Sequence, residues 1–135
     1  MSLVLFPSQP FSPREIDLDF ESERAAARSA GLLTALVDHT RVMEGAAASA
    51  VAKVPENVET ALYRGWMLKP PQYEAMYAAL QARGTSLLNT PKQYRTCHYL
   101  PESYRWIEGR TPKSVWMPPP CVALFRGSSN CRAKT

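Results

Sequence analysis

A chain of 135 residues, 45% apolar and 21% charged, has the composition of one ordinary globular domain, which excludes a disordered or low-complexity polypeptide. Its formal charge is +4, yet Arg126, Arg132 and Lys134 carry three of those units, and through residue 125 the count is 13 basic against 12 acidic side chains. The basicity belongs to the tail, and with no basic stripe interleaved with aromatics a nucleic-acid partner is not expected.

Residues 3–6, Leu-Val-Leu-Phe, form a wholly apolar run closed by Pro7, the pattern of a central strand covered on both faces. Residues 8–16 contain Pro10 and Pro13 and read as a loop. Asp17 or Asp19 can cap a helix that continues to about Ala30, with Glu21 and Glu23 in its first turn and Gly31 as its stop. Ala25, Ala26, Ala27 and Ala30 suit this helix to lying flat on a sheet, with Phe20 its one large apolar residue. A second strand is predicted over 32–37, ending at Asp38-His39, which completes a strand–helix–strand unit of right-handed crossover. The alanine-rich stretch 46–53 predicts a short helix, and a third strand spans 59–64.

Pro70 and Pro71 open the best-patterned helix: Tyr73, Met76, Tyr77 and Leu80 fall at i, i+3, i+4 and i+7, with Gly84 beyond its end. These four side chains are assigned to the core. A fourth strand is predicted over 85–89, then two short helices over 91–99 and 101–107, each started by a proline, and a fifth strand over 114–117. Three prolines at 118–120 end the pattern, so the domain is placed at 1–118. The tail 119–135 includes a stray apolar segment at 121–125 and is otherwise expected to be disordered. Short strands alternating with helices give the fold class: α/β, a three-layer Rossmann-like domain with a mainly parallel sheet of four or five strands.

Cys97, Cys121 and Cys131 are odd in number and form no CxxC pair, as expected of reduced thiols in the cytoplasm. Cys97 and His98 invite a nucleophile–base reading, but neighbours on a helix point about 100° apart, and Cys97 is read as structural. No segment reaches the ~18 apolar residues of a membrane span. There is no phosphate-binding glycine loop and no GxSxG elbow, and His39 and His98 have no partner at metal-ligand spacing. No catalytic residue and no metal ligand is therefore assigned.

What remains is a rim at two strand ends: Tyr63-Arg64-Gly65-Trp66-Met67, and a run from Asn89-Thr90-Pro91 to Tyr99. Ligands of parallel sheets collect at the carboxyl ends of strands. The candidate substrate-binding residues are Arg64, His98, Asn89 and Tyr99. Arg64 either anchors a carboxylate or phosphate, or ties down a loop by pairing with Asp38 or Glu59. Trp66 reads as core or interface. Asn89 most simply caps the next helix. His98 and Tyr99 can reach toward the same crevice.

The string Leu62-Tyr63-Arg64-Gly65-Trp66-Met67-Leu68, then Gln72-Tyr73, Gly84, Asn89-Thr90-Pro91, Tyr94, Cys97-His98-Tyr99-Leu100-Pro101, Tyr104 and Thr111-Pro112-Lys113-Ser114-Val115-Trp116, resembles the amino-terminal part of a bacterial ATP-grasp domain protein. The likeness runs from Leu3 to about Pro118. It implies a pre-ATP-grasp domain of Rossmann-like topology, the substrate-side part of an ATP-dependent carboxylate–amine ligase. It also implies that ATP and magnesium are held by later lobes, so that this chain alone takes no cofactor and is catalytically incomplete, like a truncated or split enzyme. The implied substrate is a small carboxylate or amine, and self-association or a partner chain is expected where the missing lobes would pack. The rival reading is a small non-enzymatic α/β module that binds a ligand or a protein.

Overall fold

The computed structural model describes residues 2–116. Strand β1 (Ser2–Gln9) buries six consecutive residues, Leu3 through Ser8, as a run without polar alternation requires. It is the hub of the sheet. Strand β3 (Leu33–Val37) pairs with it in parallel from Leu3↔Leu33 to Pro7↔Val37, and β4 (Thr60–Tyr63) in parallel from Ser2↔Thr60 to Leu5↔Tyr63. Strand β2 (Ser12–Ile16) pairs antiparallel with its far end, through Ser8↔Ile16 and Gln9↔Ser12. The domain is α/β, with a four-stranded mixed sheet.

Two expectations fail in this region. Pro7 does not end β1. Leu5 accepts the Arg64 N–H at 2.8 Å, and residues two apart in a strand direct their polar atoms to the same edge. β4 has already ended at the level of Pro7, so the missing proline N–H removes no ladder bond. Nor is 8–16 a loop. The chain reverses through Pro10 and Phe11, the latter at φ 65°, and returns as β2, an edge position that tolerates Pro13.

Asp17 accepts the Asp19 N–H at 3.1 Å and starts a 3-10 turn, Leu18–Phe20, that leads into α1 (Glu21–Ser29). Gly31, at φ 78°, stops it as expected: Leu32 N–H bonds Ala27 C=O and Gly31 N–H bonds Arg28 C=O, the two bonds of a Schellman closure. The alanines, however, do not seat the helix. Ala25, Ala26 and Ala30 are exposed, and only Ala27 packs inward. A methyl group buries too little area to hold a helix, so this face of the sheet relies on Val4, Phe6 and Phe20, flanked by Ile16, Ala27 and Leu36.

The opposite face carries the main core. Leu3, Leu5, Val37 and Ala61 from the strands meet Val42 of α2 (His39–Met43), Ala50 of α3 (Ala47–Ala50) and Met76 and Leu80 of α4 (Pro70–Gln81). The expected core stripe of α4 is present: Tyr73, Met76 and Leu80 are buried and Tyr77 packs against them. Helix α2 has no counterpart in the sequence reading. Asp38 nucleates it by accepting the Arg41 N–H at 3.1 Å. His39 beside it has its pKa lowered, because burial outweighs the opposing pull of Asp17 and Asp38.

The predicted fourth strand shrinks to one parallel bridge, Ala61↔Leu87. Thr85 diverts the chain there: its buried hydroxyl donates to Pro55 C=O at 3.1 Å and accepts the Val58 N–H at 3.4 Å. Helices α5 (Pro91–His98) and α6 (Leu100–Ile107) follow as expected. Residues 114–116 form no strand; Ser114 N–H is taken by the Tyr104 hydroxyl at 3.1 Å instead. Met117 and the tail expectations lie outside the described residues. Among those residues no helix is long and apolar enough to cross a membrane.

Candidate functional site

At the end of β4 the Arg64 N–H still bonds the sheet, and the chain then turns at Gly65. The Tyr63 ring folds back over this glycine: a Cβ there would lie 2.6 Å from Tyr63 Oη and 2.7 Å from its Cζ. Only glycine lets the ring approach so closely. The Tyr63 hydroxyl donates to Trp66 C=O at 3.0 Å and closes the turn.

The second motif arrives from the Leu87 bridge. Asn89 offers its backbone C=O to the Tyr73 hydroxyl at 2.8 Å. Thr90 then caps α5. Its hydroxyl accepts the Gln93 N–H at 3.3 Å, while Gln93 Oε1 accepts the Thr90 N–H at 2.9 Å, and Pro91 takes the first helical position. Tyr94 and His98, four residues apart, share one face of α5. Tyr63, Arg64, Gly65, Met67, Tyr73, Asn89, Tyr94 and His98 thus line one crevice of about 150 Å³.

An aromatic column forms its wall. Tyr63 meets Tyr73 edge-on with centroids 6.3 Å apart; Tyr73 stacks on Tyr94 at 3.8 Å, and Tyr94 on His98 at 4.0 Å. Tyr94 Oη accepts the Leu68 N–H at 2.8 Å and donates to Leu68 C=O at 3.3 Å, tying α5 to the entry of α4. Burial pushes the Tyr63 hydroxyl far above the usual phenol range, with the Tyr94 and Tyr73 phenols adding to the effect. Burial pushes Tyr73 up to about 12, again helped by Tyr94 and Tyr77. Tyr94 is raised by burial too, against the opposing Leu68 bond. At neutral pH these phenols stack and hydrogen-bond; they are not nucleophiles.

A consequence is an alkaline limit to stability. Each phenol is raised above its unfolded value of about 10, so the contribution is complete below that pH and is lost as pH rises through the folded values, near 12 for Tyr73. Phenolate absorbance should therefore show late-titrating tyrosines whose ionisation coincides with unfolding. Titration of every tyrosine near pH 10 in a still-folded chain would mean that the column is open to water.

The four candidate residues fare differently. Arg64, Asn89 and His98 line the crevice, whereas Tyr99 lies outside it and joins α5 to α6. Arg64 pairs with neither Asp38 nor Glu59. Its Nε and a terminal nitrogen donate to the two Glu23 oxygens at 2.6 and 2.7 Å, in an exposed bidentate pair, and its guanidinium sits 5.5 Å over the Phe20 ring. Asp38 is engaged with Arg41 at 3.3 Å instead. Asn89 is not the α5 cap, since Thr90 holds that position.

His98 Nδ1 lies 2.8 Å from Tyr94 C=O. A carbonyl only accepts, so Nδ1 carries a proton and donates it to Tyr94. Cys97 is exposed and lines a different groove, so its adjacency to His98 creates no catalytic pair. Trp66 is 45% exposed; it meets Phe20 edge-on at 5.3 Å and donates its indole N–H to Asp17 at 2.8 Å. Tyr63, Tyr73 and Tyr94 were not among the candidates, although the i, i+4 spacing of Tyr94 and His98 was visible.

Among the described residues no group of three or more His, Cys, Asp or Glu is placed to hold a metal ion. The fold and crevice define an α/β domain with a small polar crevice at the carboxyl end of β4. No protein-family model, curated protein or solved structure matches the chain.

Proposed function

We propose that this chain is the substrate-side, Rossmann-like domain of a cytoplasmic ATP-dependent carboxylate–amine ligase of the ATP-grasp type, and that its crevice holds one small polar reactant, a carboxylate or an amine. One observation carries the reading: the two motifs on which the resemblance rests converge from separate parts of the chain on a single crevice at the end of β4. The parallel pairing of β3, β1 and β4, extended by the Leu87 bridge, supports the topology. The residues present do not fit ATP and magnesium. A crevice of about 150 Å³ falls short of the ~300–1,000 Å³ usual for small-molecule sites. Nucleotide chemistry is assigned to other lobes.

A second reading, a non-enzymatic binding module, is favoured by one feature. Glu23 already neutralises Arg64, so that guanidinium reaches the crevice as half of an ion pair.

Calorimetry and amide-shift titration test the first reading. The chain alone should bind Mg-ATP no tighter than about 100 μM, near −5.5 kcal/mol. A small carboxylate or amine should shift the Gly65, Asn89 and His98 amides. Tight Mg-ATP binding by this chain would overturn the division of labour. Arg64→Ala should lower stability, read from the denaturant midpoint at equal slope, by less than about 1 kcal/mol, because its pair with Glu23 is exposed. A larger loss would make Arg64 chiefly a structural tie.

A further inference from the structure

Two surface regions of opposite character lie outside both the crevice and the core. The first is the outer side of α5 and α6, where Lys92, Gln93, Thr96, Cys97, Arg105 and Trp106 line a groove of about 330 Å³. Helix α6 buries none of its residues. Trp106 is 71% exposed, and Leu100, Ile107, Val115 and Trp116 of the same stretch are exposed as well. Over residues 91–116, five cations, Lys92, Arg95, Arg105, Arg110 and Lys113, face two anions, Glu102 and Glu108, a net +3. Among the described residues only Arg95 of these cations has an ion-pair partner, Glu102.

The second region is the β1–β2 hairpin and the turn into α1. Phe11 at the hairpin tip is 97% exposed and Leu18 is 69% exposed. Over residues 11–23, Arg14 stands against Glu15, Asp17, Asp19, Glu21 and Glu23; with Glu23 paired to Arg64, the region keeps a net −3.

We propose that these regions are the two halves of one interface: the acidic hairpin edge of one copy, led by Phe11 and Leu18, docks into the basic α5–α6 groove of a second copy. Grouped exposed apolar side chains mark interaction sites, and each set here is embedded in charge of the sign that suits the other. Self-pairing of either region is disfavoured by the same charges, since packing the 91–116 surface on itself would bring two regions of net +3 together. The contact is therefore head-to-tail, and it either closes into a ring or extends. Lys92 and Arg105 of the groove and Asp19 and Glu21 of the hairpin edge supply the opposite charges, and Phe11 and Trp106 the exposed apolar contact. The interface uses no crevice residue and stands independently of the proposed ligase role.

Sedimentation of the full chain tests the proposal by mixing. Phe11→Ser removes the knob and leaves the groove; Trp106→Ser removes the groove and leaves the knob. Each variant alone should sediment as a monomer at concentrations where the wild type associates, and a 1:1 mixture should regain a dimer and nothing larger. Wild-type association should weaken about tenfold between 0.1 and 1 M salt, as the Debye length falls from about 10 to about 3 Å. Both side chains are solvent-facing, so circular dichroism should show unchanged folds. Should either variant fail to fold, Arg105→Glu and Glu21→Lys pose the same mixing test. A wild type that stays monomeric, a Phe11→Ser variant that associates like wild type, or a mixture that stays monomeric would each overturn the interface.

Discussion

Replacing Tyr94 with alanine is expected to lower stability by about 3–5 kcal/mol, the cost of deleting a fully packed aromatic ring. Tyr94 is 5% exposed, stacks at 3.8 Å on Tyr73 and at 4.0 Å on His98, and satisfies both backbone groups of buried Leu68. Its removal opens a void between α4 and α5 and leaves the Leu68 N–H without an acceptor. Tyr94→Phe separates the two effects. It keeps the stack and loses only the hydroxyl, for about 1–3 kcal/mol. Small domains have about 5–15 kcal/mol in hand, so the alanine variant should sit near its unfolding threshold while the phenylalanine variant stays folded. Denaturant midpoints at equal slope give the ordering. A shift below about 1 kcal/mol for Tyr94→Ala would mean that the column does not hold α5 in place. Because the same ring lines the crevice, ligand binding should fall with stability in Tyr94→Ala and survive in Tyr94→Phe.

The parts of the fold legible in the sequence are those in which local signals agree with tertiary demands. The stripe of Tyr73, Met76 and Leu80, the prolines that open α4 and α5, and Gly31 and Gly84 as stops at positive φ were all readable. Leu3 to Phe6 announced a doubly covered strand. What escaped depends on position within the assembly. Pro7 and Pro13 argue against strands in general, yet each sits where its missing N–H faces no ladder partner, which the sequence does not reveal. Helix α2 is five residues long and too short for periodicity; its one signal was the cap at Asp38. Asn89 drew attention from Thr90 as the α5 cap, although Thr90 and Gln93 together spelled a capping box.

The site was partly legible for the same reason. Both polar motifs stood out as strings, but their meeting depends on α5 turning Tyr94 and His98 toward the end of β4. The Arg64 partner was beyond reach. Glu23 lies 41 positions away, on a helix whose seating is set by Phe20 and not by its alanines.

That seating leads to the second large effect, Phe6→Ala, expected to cost about 3–5 kcal/mol and to fall unevenly on the structure. Phe6 is 1% exposed, and among the apolar side chains of the described residues only Val4 and Phe20 share full burial with it on the α1 face, where its ring lies 6.5 Å from Phe20. Phe20 in turn supports Trp66 and the Arg64 guanidinium. Helix α1 buries no residue of its own, and its link to β4 through Glu23 and Arg64 is an exposed pair worth at most about 1 kcal/mol. Without Phe6 the 3-10 turn loses its footing, and α1 keeps only the Ala27 contact, the Glu23 pair and the bonds from Arg24 and Arg28 to the Thr34 hydroxyl at 3.3 and 3.1 Å. Native-state hydrogen exchange should then show α1 amides losing protection well before those of α4, whose Met76 and Leu80 belong to the other cluster. Met76→Ala, at about 2–5 kcal/mol, is the control, because it should lower protection across the whole domain. If Phe6→Ala also lowers α1 and α4 together, the two faces of the sheet unfold as one unit, and α1 is anchored by more than the small cluster of Val4, Phe6 and Phe20.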